Sequence, residues 1–202
     1  AWARTFRVKA SPNDQTRTSR DAVFVDLYLL QFYLTLSTRK SLWWAGGSVG
    51  LMEAKLSRQN LSHLPTELPN TLRSLLAADN QLTTLPHALF ACRALTTLGL
   101  AANRLSALPD RLALLVELQV LRLADNLLEE LPEALGGCAS LRELTLARNR
   151  LVTLPSSLAR CPLVLLGAQA NLIQRLPDGL LGGLGRLETL QLCHTRLAVL
   201  PD

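Results

Sequence analysis

Five charged side chains of both signs lie close together near the middle of the chain: Arg122, Asp125, Arg142, Glu143 and Arg148. Groups of mixed charge suit the recognition of proteins, where they set specificity and association rate more than affinity. A cluster of one sign would instead favour a nucleic acid, which needs Lys and Arg gathered on one face. These residues therefore predict binding chemistry directed at a protein, with no role for nucleic acid.

Residues that could react or bind metal do not form a recognisable catalytic pattern. The sequence has no HExxH, GxSxG, CxxC or GxxxxGK[ST] motif, and His63, His87 and His194 follow no common spacing. Metal-binding cysteines usually lie within a few residues of each other, whereas Cys92, Cys138 and Cys161 are 23 or more residues apart. We expect no catalytic residue, no metal and no cofactor, and predict that the protein is not an enzyme.

A period of about 23 residues organises the sequence from Leu51 to Asp202. The dipeptide Leu-Pro occurs seven times in register with this period, and an asparagine stands six residues before most of these prolines, at Asn80, Asn103, Asn126, Asn149 and Asn171. In-register copies of this kind predict a solenoid of stacked units. The two regions are thus an N-terminal extension, 1–50, and a repeat domain, 51–202, with about seven repeats of which the last is incomplete.

The repeated unit LxxLxLxxNxLxxLPxxLxxLxx resembles the leucine-rich repeat family, over about three-quarters of the chain. More narrowly, it resembles the 23-residue class with Leu-Pro in each unit, found in intracellular Ras-linked scaffolds and in bacterial proteins with kinase domains. The resemblance implies an α/β solenoid, a curved horseshoe with a concave parallel β-sheet and a convex side of loops and short helical turns. It also implies a protein-binding module.

The unit can be interpreted physically without the resemblance. Leucines at its first, fourth and sixth positions face inward and the residues between them face solvent, because side chains alternate along a strand. Strands are expected to centre on Leu75, Leu98, Leu121, Leu144, Leu166 and Leu190. The asparagine amide both donates and accepts, so a stacked row can satisfy buried backbone groups. Proline then excludes a further ladder strand. Cys92, Cys138 and Cys161 fall at an inward convex position, where cysteine acts as a small hydrophobe.

The predicted binding residues lie at outward positions of the concave face: Arg122, Asp125, Arg142, Glu143, Arg148, Gln169, Gln191 and His194. The seventh position of the unit is small in the first five repeats, at Ser57, Ala78, Ala101, Ala124 and Ala147. Two interpretations remain open for these small residues. Either small residues stand there only because the repeats share a common sequence, or they form a flat floor that lets a partner approach closely.

The first 50 residues differ in composition from the repeats. They hold eight of the nine aromatic residues and carry seven basic and three acidic side chains, a net charge of +4. The apolar stretch from Val23 to Leu36 is too short to span a membrane, which takes about 20 residues, so no transmembrane segment is predicted. Three hypotheses remain for this extension: a cap on the solenoid, a docking segment, or a gene-model artefact upstream of Met52.

The predicted function is that of a protein-interaction module inside the cell. The sequence lacks the cysteine-rich caps of extracellular relatives, which favours a location in the cytoplasm. The first eleven residues are basic and contain no acidic residue, so an organellar location stays an alternative. The alternatives are a regulatory segment of a larger signalling kinase or GTPase, and a structural subunit docked through the extension. Because the sequence stops within a repeat at Asp202, we expect further sequence or a partner to cover that end.

Overall fold

The structure is a computed structural model, and it describes residues 53–198. Residues 1–52 and 199–202 lie outside the described residues. The hypotheses for the N-terminal extension, including a start of the protein at Met52, therefore stay predictions. The same holds for the expected cover of the C-terminal end after Leu200-Pro201.

Seven short strands of the described residues form one parallel sheet, with neighbours in sequence order. They are β1 (Glu53–Lys55), β2 (Ser74–Leu76), β3 (Thr97–Gly99), β4 (Val120–Arg122), β5 (Glu143–Thr145), β6 (Leu165–Gly167) and β7 (Thr189–Gln191). The central residues are in register, as Leu98 with Leu121 and Leu121 with Leu144. The predicted strand centres and the leucine-rich repeat solenoid are both confirmed.

The core lies between this sheet and the opposite, convex side. Leu141, Leu144 and Leu146 are fully buried, as the one-four-six pattern of the unit predicted. Each repeat buries its leucines against its neighbours, because one unit has too little apolar surface to form a core alone. The result is a rigid layer that fixes the direction of every outward side chain.

The convex side is built from short helical turns, four of which directly follow a proline. The 3-10 helices are His87–Ala91, Asp110–Leu114, Glu133–Gly137 and Ser156–Arg160, and one α-helix spans Leu180–Gly183. The four prolines that precede the 3-10 helices have φ between −77° and −69° with extended ψ. Proline fixes this φ and offers no backbone donor, so the strand-like segment ends and the turn begins at that point.

The predicted asparagine row is confirmed and buried, with relative exposures of 4 to 9%. Asn126 is representative: its Nδ2 donates to the carbonyl oxygens of Leu100 and Leu123, and its Oδ1 accepts from the N–H of Leu105. The side chain thus joins three backbone segments in two adjacent repeats. Backbone groups that the turn removes from solvent are paired in this way.

The residue before each asparagine position has a left-handed backbone, with φ between 53° and 60° and no glycine among the seven. The seven are Arg58, Asp79, Ala102, Asp125, Arg148, Ala170 and His194. Such a conformation is unfavourable for residues with a Cβ, but a backbone hydrogen bond to the next repeat holds it, as from the Asp125 N–H to the Ala147 oxygen at 2.8 Å. Asp125, Arg148 and His194 therefore lie in the turn that follows the strand and not within the strand.

Candidate functional site

The outward side of the sheet, here called the concave face, presents side chains from fixed strands. Arg122 ends β4, Glu143 begins β5, and Arg142 stands immediately before β5. Because each strand is anchored by buried leucines on its other side, the positions of these side chains are set by the core and not by a flexible loop.

Arg122 and Glu143 form an ion pair across adjacent strands. Arg122 Nη2 lies 3.5 Å from Glu143 Oε1, and the side chains are 50% and 31% exposed. Exposed pairs of this kind stabilise a protein by about 0.2–1 kcal/mol. The main effect is therefore to orient the two charges relative to each other.

Asp125 and Arg148 form a second ion pair at the edge of the concave face. Arg148 Nε donates to Asp125 Oδ1 at 2.5 Å, and Nη2 donates to Oδ2 at 3.0 Å. The hydrogen bond to Asp125 raises the pKa of the Arg148 guanidinium. Arg58 and Asp79 pair at the same repeat position, at 3.3 Å, so this arrangement recurs in the first two repeats. Sequence spacing alone did not reveal these pairs.

Arg142 and His194 are exposed, and neither forms an ion pair within residues 53–198. Arg142 is therefore a cation without a counter-ion among the described residues. His194 follows β7 and belongs to the last described repeat.

Gln169 and Gln191 both lie beside Gly167, which was not among the predicted binding residues. A Cβ added at Gly167 would lie 3.2 Å from Gln169 Oε1 and 3.4 Å from Gln191 Oε1. The sequence feature that could have indicated this cluster is Gly167 itself. It stands at the fifth position of its repeat, where the two adjacent repeats have Thr145 and Gln191.

The small seventh positions form the floor between these groups. Ala147 is buried at 7% exposure, and Ala78, Ala101 and Ala124 are partly buried. Gln169 and Cys193 replace the small residue in the last two described repeats. The side chains at the seventh position are therefore small beside the ion pairs, and Gln169 is the first large one toward β7.

The three convex cysteines are buried in the core, as predicted, and the fourth, Cys193, is exposed. Burial raises the pKa of the Cys138 thiol to about 12 and that of Cys161 to about 11. Each buried sulfur lies close to a carbonyl oxygen of the preceding repeat, as Cys138 Sγ does to Leu112 at 3.4 Å. Because the thiolate is the reactive and metal-binding form, these thiols serve packing.

Nowhere between residues 53 and 198 do three or more His, Cys, Asp or Glu side chains gather in a way that could hold a metal ion. None of the helices in that range is long and apolar enough to cross a membrane.

Comparison with known proteins supports the same fold. The leucine rich repeat family model matches residues 93–151, and no curated protein matches the chain. A leucine-rich repeat protein of Leptospira interrogans is 25% identical with a TM-score of 0.57, over 73% of this chain and 50% of that one.

Two plant receptor structures are also similar. The plant peptide hormone receptor RGFR1, in complex with RGF2, is 29% identical with a TM-score of 0.61, over 72% of this chain and 25% of that one. The ectodomain of the Arabidopsis thaliana membrane receptor kinase GASSHO1/SCHENGEN3, in complex with CASPARIAN STRIP INTEGRITY FACTOR 2, is 24% identical with a TM-score of 0.56, over 73% and 24%. The chain spans between a quarter and a half of the length of these three structures.

Proposed function

We propose that the chain is a non-enzymatic module that binds a protein partner on its concave face. The observation that carries this proposal is the presentation of fixed, mixed charges beside a low floor on an open parallel sheet. Ion pairs hold Arg122, Glu143, Asp125 and Arg148 in place, while Arg142 remains without a partner in residues 53–198. Charges held in advance reduce the ordering cost of association.

The comparisons support an interaction role at a general level. Two of the similar structures are receptors in complex with a ligand, by their descriptions. The 23-residue period with Leu-Pro resembles intracellular Ras-linked scaffolds, so the proposed setting is a cytoplasmic signalling scaffold. That assignment rests on the repeat class and on the cysteines, three of which are buried in the core.

A second candidate is a regulatory repeat segment of a larger signalling enzyme. It is favoured by the similar structure that belongs to the ectodomain of a membrane receptor kinase. In that case the concave face would still bind a protein, and catalysis would belong to another domain. The third hypothesis, docking of a structural subunit through residues 1–50, depends on residues outside those described.

The test begins with capture of partners by the full chain and their identification by mass spectrometry. Each captured partner is then titrated against Arg122→Glu with Arg142→Glu. We expect affinity to fall at least about tenfold, because like charges across an interface cost several kcal/mol. The free energy of unfolding should fall by about 2 kcal/mol or less, because the exposed Arg122–Glu143 pair is lost and two carboxylates then lie side by side.

Two matched variants separate the binding effect from a local disturbance. The exchange Arg122→Glu with Glu143→Arg keeps an ion pair but reverses its direction, and it should also weaken binding. Arg111→Glu with Arg160→Glu changes two exposed convex residues and should leave affinity unchanged. Normal binding by the concave variants together with failure of the convex variant would show that the functional face is misassigned.

A further inference from the structure

One flank of the solenoid is formed by the segments that lead from each asparagine toward the following proline. In four successive repeats, a fully buried residue of this segment stands between two exposed residues. The buried residues are Leu105, Leu128, Leu151 and Ile173. Backbone hydrogen bonds join neighbouring segments, as from the Leu127 N–H to the Leu105 oxygen at 2.9 Å. The exposed residues therefore form two outward rows on a backbone that is fixed by the core.

The first outward row alternates between arginine and leucine. From the third to the seventh repeat it holds five exposed residues, Arg104, Leu127, Arg150, Leu172 and Arg196. Val152, in the second outward row, is also exposed and belongs to the repeat between those of Leu127 and Leu172. We call these six residues the arginine–leucine flank.

The apolar side chains of the described residues that are most exposed gather on this flank. Of five large ones, three belong to it: Leu127 and Leu172 are 37% exposed and Val152 is 48% exposed. Single exposed apolar residues are normal on a protein surface. These three stand in consecutive repeats, whose hydrogen-bonded segments lie about 4.8 Å apart, so one molecule can cover all of them.

The charge of the same surface is positive and largely uncompensated. Arg104 and Arg196 form no ion pair within residues 53–198, and Arg150 Nη1 lies 4.0 Å from Glu129 Oε1. Between residues 104 and 198 the two outward rows hold three arginines and one acidic residue, Glu129, a net charge of +2. Two guanidinium groups are thus without a counter-ion among the described residues.

Charge complementarity specifies the partner. Leucines that alternate with arginines are matched by a protein segment in which apolar side chains alternate with Asp or Glu. A guanidinium group binds a carboxylate through two parallel hydrogen bonds, which fixes orientation as well as charge. An anionic membrane fits less well, because its headgroups would repel Glu129, which lies beside Arg150 in the middle of the rows.

We propose that the arginine–leucine flank is a second protein-binding surface, which takes an acidic segment of a partner with apolar side chains between its carboxylates. This inference goes beyond binding on the concave face and does not depend on it, because the two surfaces share no residue. The two could therefore bind different segments at the same time.

The experiment uses the full chain and random twelve-residue peptides displayed on phage. The library is first depleted on Leu127→Ser with Leu172→Ser and then selected on the wild-type chain, so that the peptides which remain require the flank. We expect these peptides to combine Asp or Glu with Leu, Ile or Phe. A selection that yields no peptide, or only peptides without acidic residues, would overturn the proposal.

The selected peptides are then titrated against Arg104→Glu with Arg150→Glu. Affinity should fall at least about tenfold, because like charges then face each other across the interface. Raising the salt concentration from about 0.1 M to about 1 M should also weaken binding to the wild-type chain, since exposed charges are screened. Unchanged affinity after the charge reversal would show that the arginines do not select the ligand.

Two matched controls change the same residue types on the convex side. Leu114→Ser with Val116→Ser replaces the two other exposed apolar residues, and Arg111→Glu with Arg160→Glu reverses two exposed arginines. Both variants should bind the peptides as the wild-type chain does. A loss as large as that of the flank variants would show a general effect of charge or apolar surface and contradict the assignment.

Other occupants of the flank give different results. Loss of peptide binding with Arg122→Glu and Arg142→Glu would place the peptides on the concave face. Binding of the full chain to phosphatidylserine vesicles that Leu127→Ser with Leu172→Ser abolishes would assign the flank to a membrane. A dimer in sedimentation that the same variant dissociates would assign it to a second copy of the chain. Each of these three results overturns the proposal, and the last two leave the concave-face proposal standing.

Discussion

Single asparagine side chains determine how one repeat is joined to the next. Asn126 donates to Leu100 and Leu123 and accepts from Leu105, with distances of 3.0–3.1 Å. No other common side chain of this size donates two hydrogen bonds and accepts one in a single plane. The outward ion pairs are different, because exposed pairs of this kind contribute little to stability.

Replacement of Asn126 by alanine should destabilise the solenoid strongly. The change leaves the Leu105 N–H and the Leu100 and Leu123 carbonyl groups buried without this partner, and each such group costs about 1–3 kcal/mol. We expect the free energy of unfolding in urea to fall by at least about 2 kcal/mol. The exposed neighbour Leu127, changed to alanine, is the control and should alter it by less than about 0.5 kcal/mol. Similar effects from both changes would contradict the role of the asparagine row.

At the scale of elements, two adjacent convex turns are connected by a carboxylate of the first that caps the second. Glu133 begins one 3-10 helix, and its oxygens accept from the backbone N–H groups of Ser156 and Ser157 in the next repeat, at 3.1 and 2.9 Å. These N–H groups have no partner within their own turn, as at any helix start. The adjacent turns also pack closely, since a Cβ at Gly136 would lie 2.6 Å from Ser157.

The cap should make stability depend on pH. The hydrogen bond from the Ser157 backbone holds the pKa of the Glu133 carboxyl below its ordinary value of 4.5. A carboxyl whose pKa is lower in the folded state stabilises that state above its unfolded pKa, and the contribution disappears as pH falls through the folded value. Glu133→Gln should therefore lower the melting temperature at pH 7.

The magnitude and control follow from exposure. The loss should be less than about 1 kcal/mol, because the group is open to solvent and salt. Melting curves from pH 7 to pH 3 should show the difference from wild type shrinking below about pH 4.5. Glu130→Gln, in the same repeat but without such bonds, should show no comparable trend. A difference that stays constant down to pH 3 would exclude the carboxylate cap.

At the scale of the whole molecule, stability is close to a sum of repeats and of the interfaces between them. Leu98, Leu121 and Leu144 lie in successive interior repeats and are all fully buried. In contrast, Leu187, Leu190 and Leu192 of the last described repeat are only partly buried. Interior repeats therefore contribute more than the repeats near the limits of the described residues.

A chain that begins at Met52 should retain the solenoid, because the interior interfaces are formed among the repeats themselves. Circular dichroism and urea unfolding of this shorter chain should show the same cooperative fold. The shift in melting temperature separates the hypotheses for the extension: a change within a few degrees fits an artefact or a loose docking segment. A larger loss fits a cap, since burying one Phe or Trp contributes about 1.5–3 kcal/mol. An insoluble or unfolded product would show that the repeats depend on residues 1–51.

The sequence by itself determined the repeating features: the strand centres, the inward leucines, the asparagine row and the buried convex cysteines. Each of these features buries apolar side chains or pairs backbone groups in unit after unit, so the regular spacing of the residues identifies it. The tertiary structure alone decided which outward groups meet, as Arg122 with Glu143 and Asp125 with Arg148. These contacts depend on strands that lie about 4.8 Å apart, a distance fixed only when the repeats stack. The tertiary structure also decided the left-handed backbone conformation of the residue before each asparagine position. Hydrogen bonds between repeats hold this conformation, and none of these residues is a glycine.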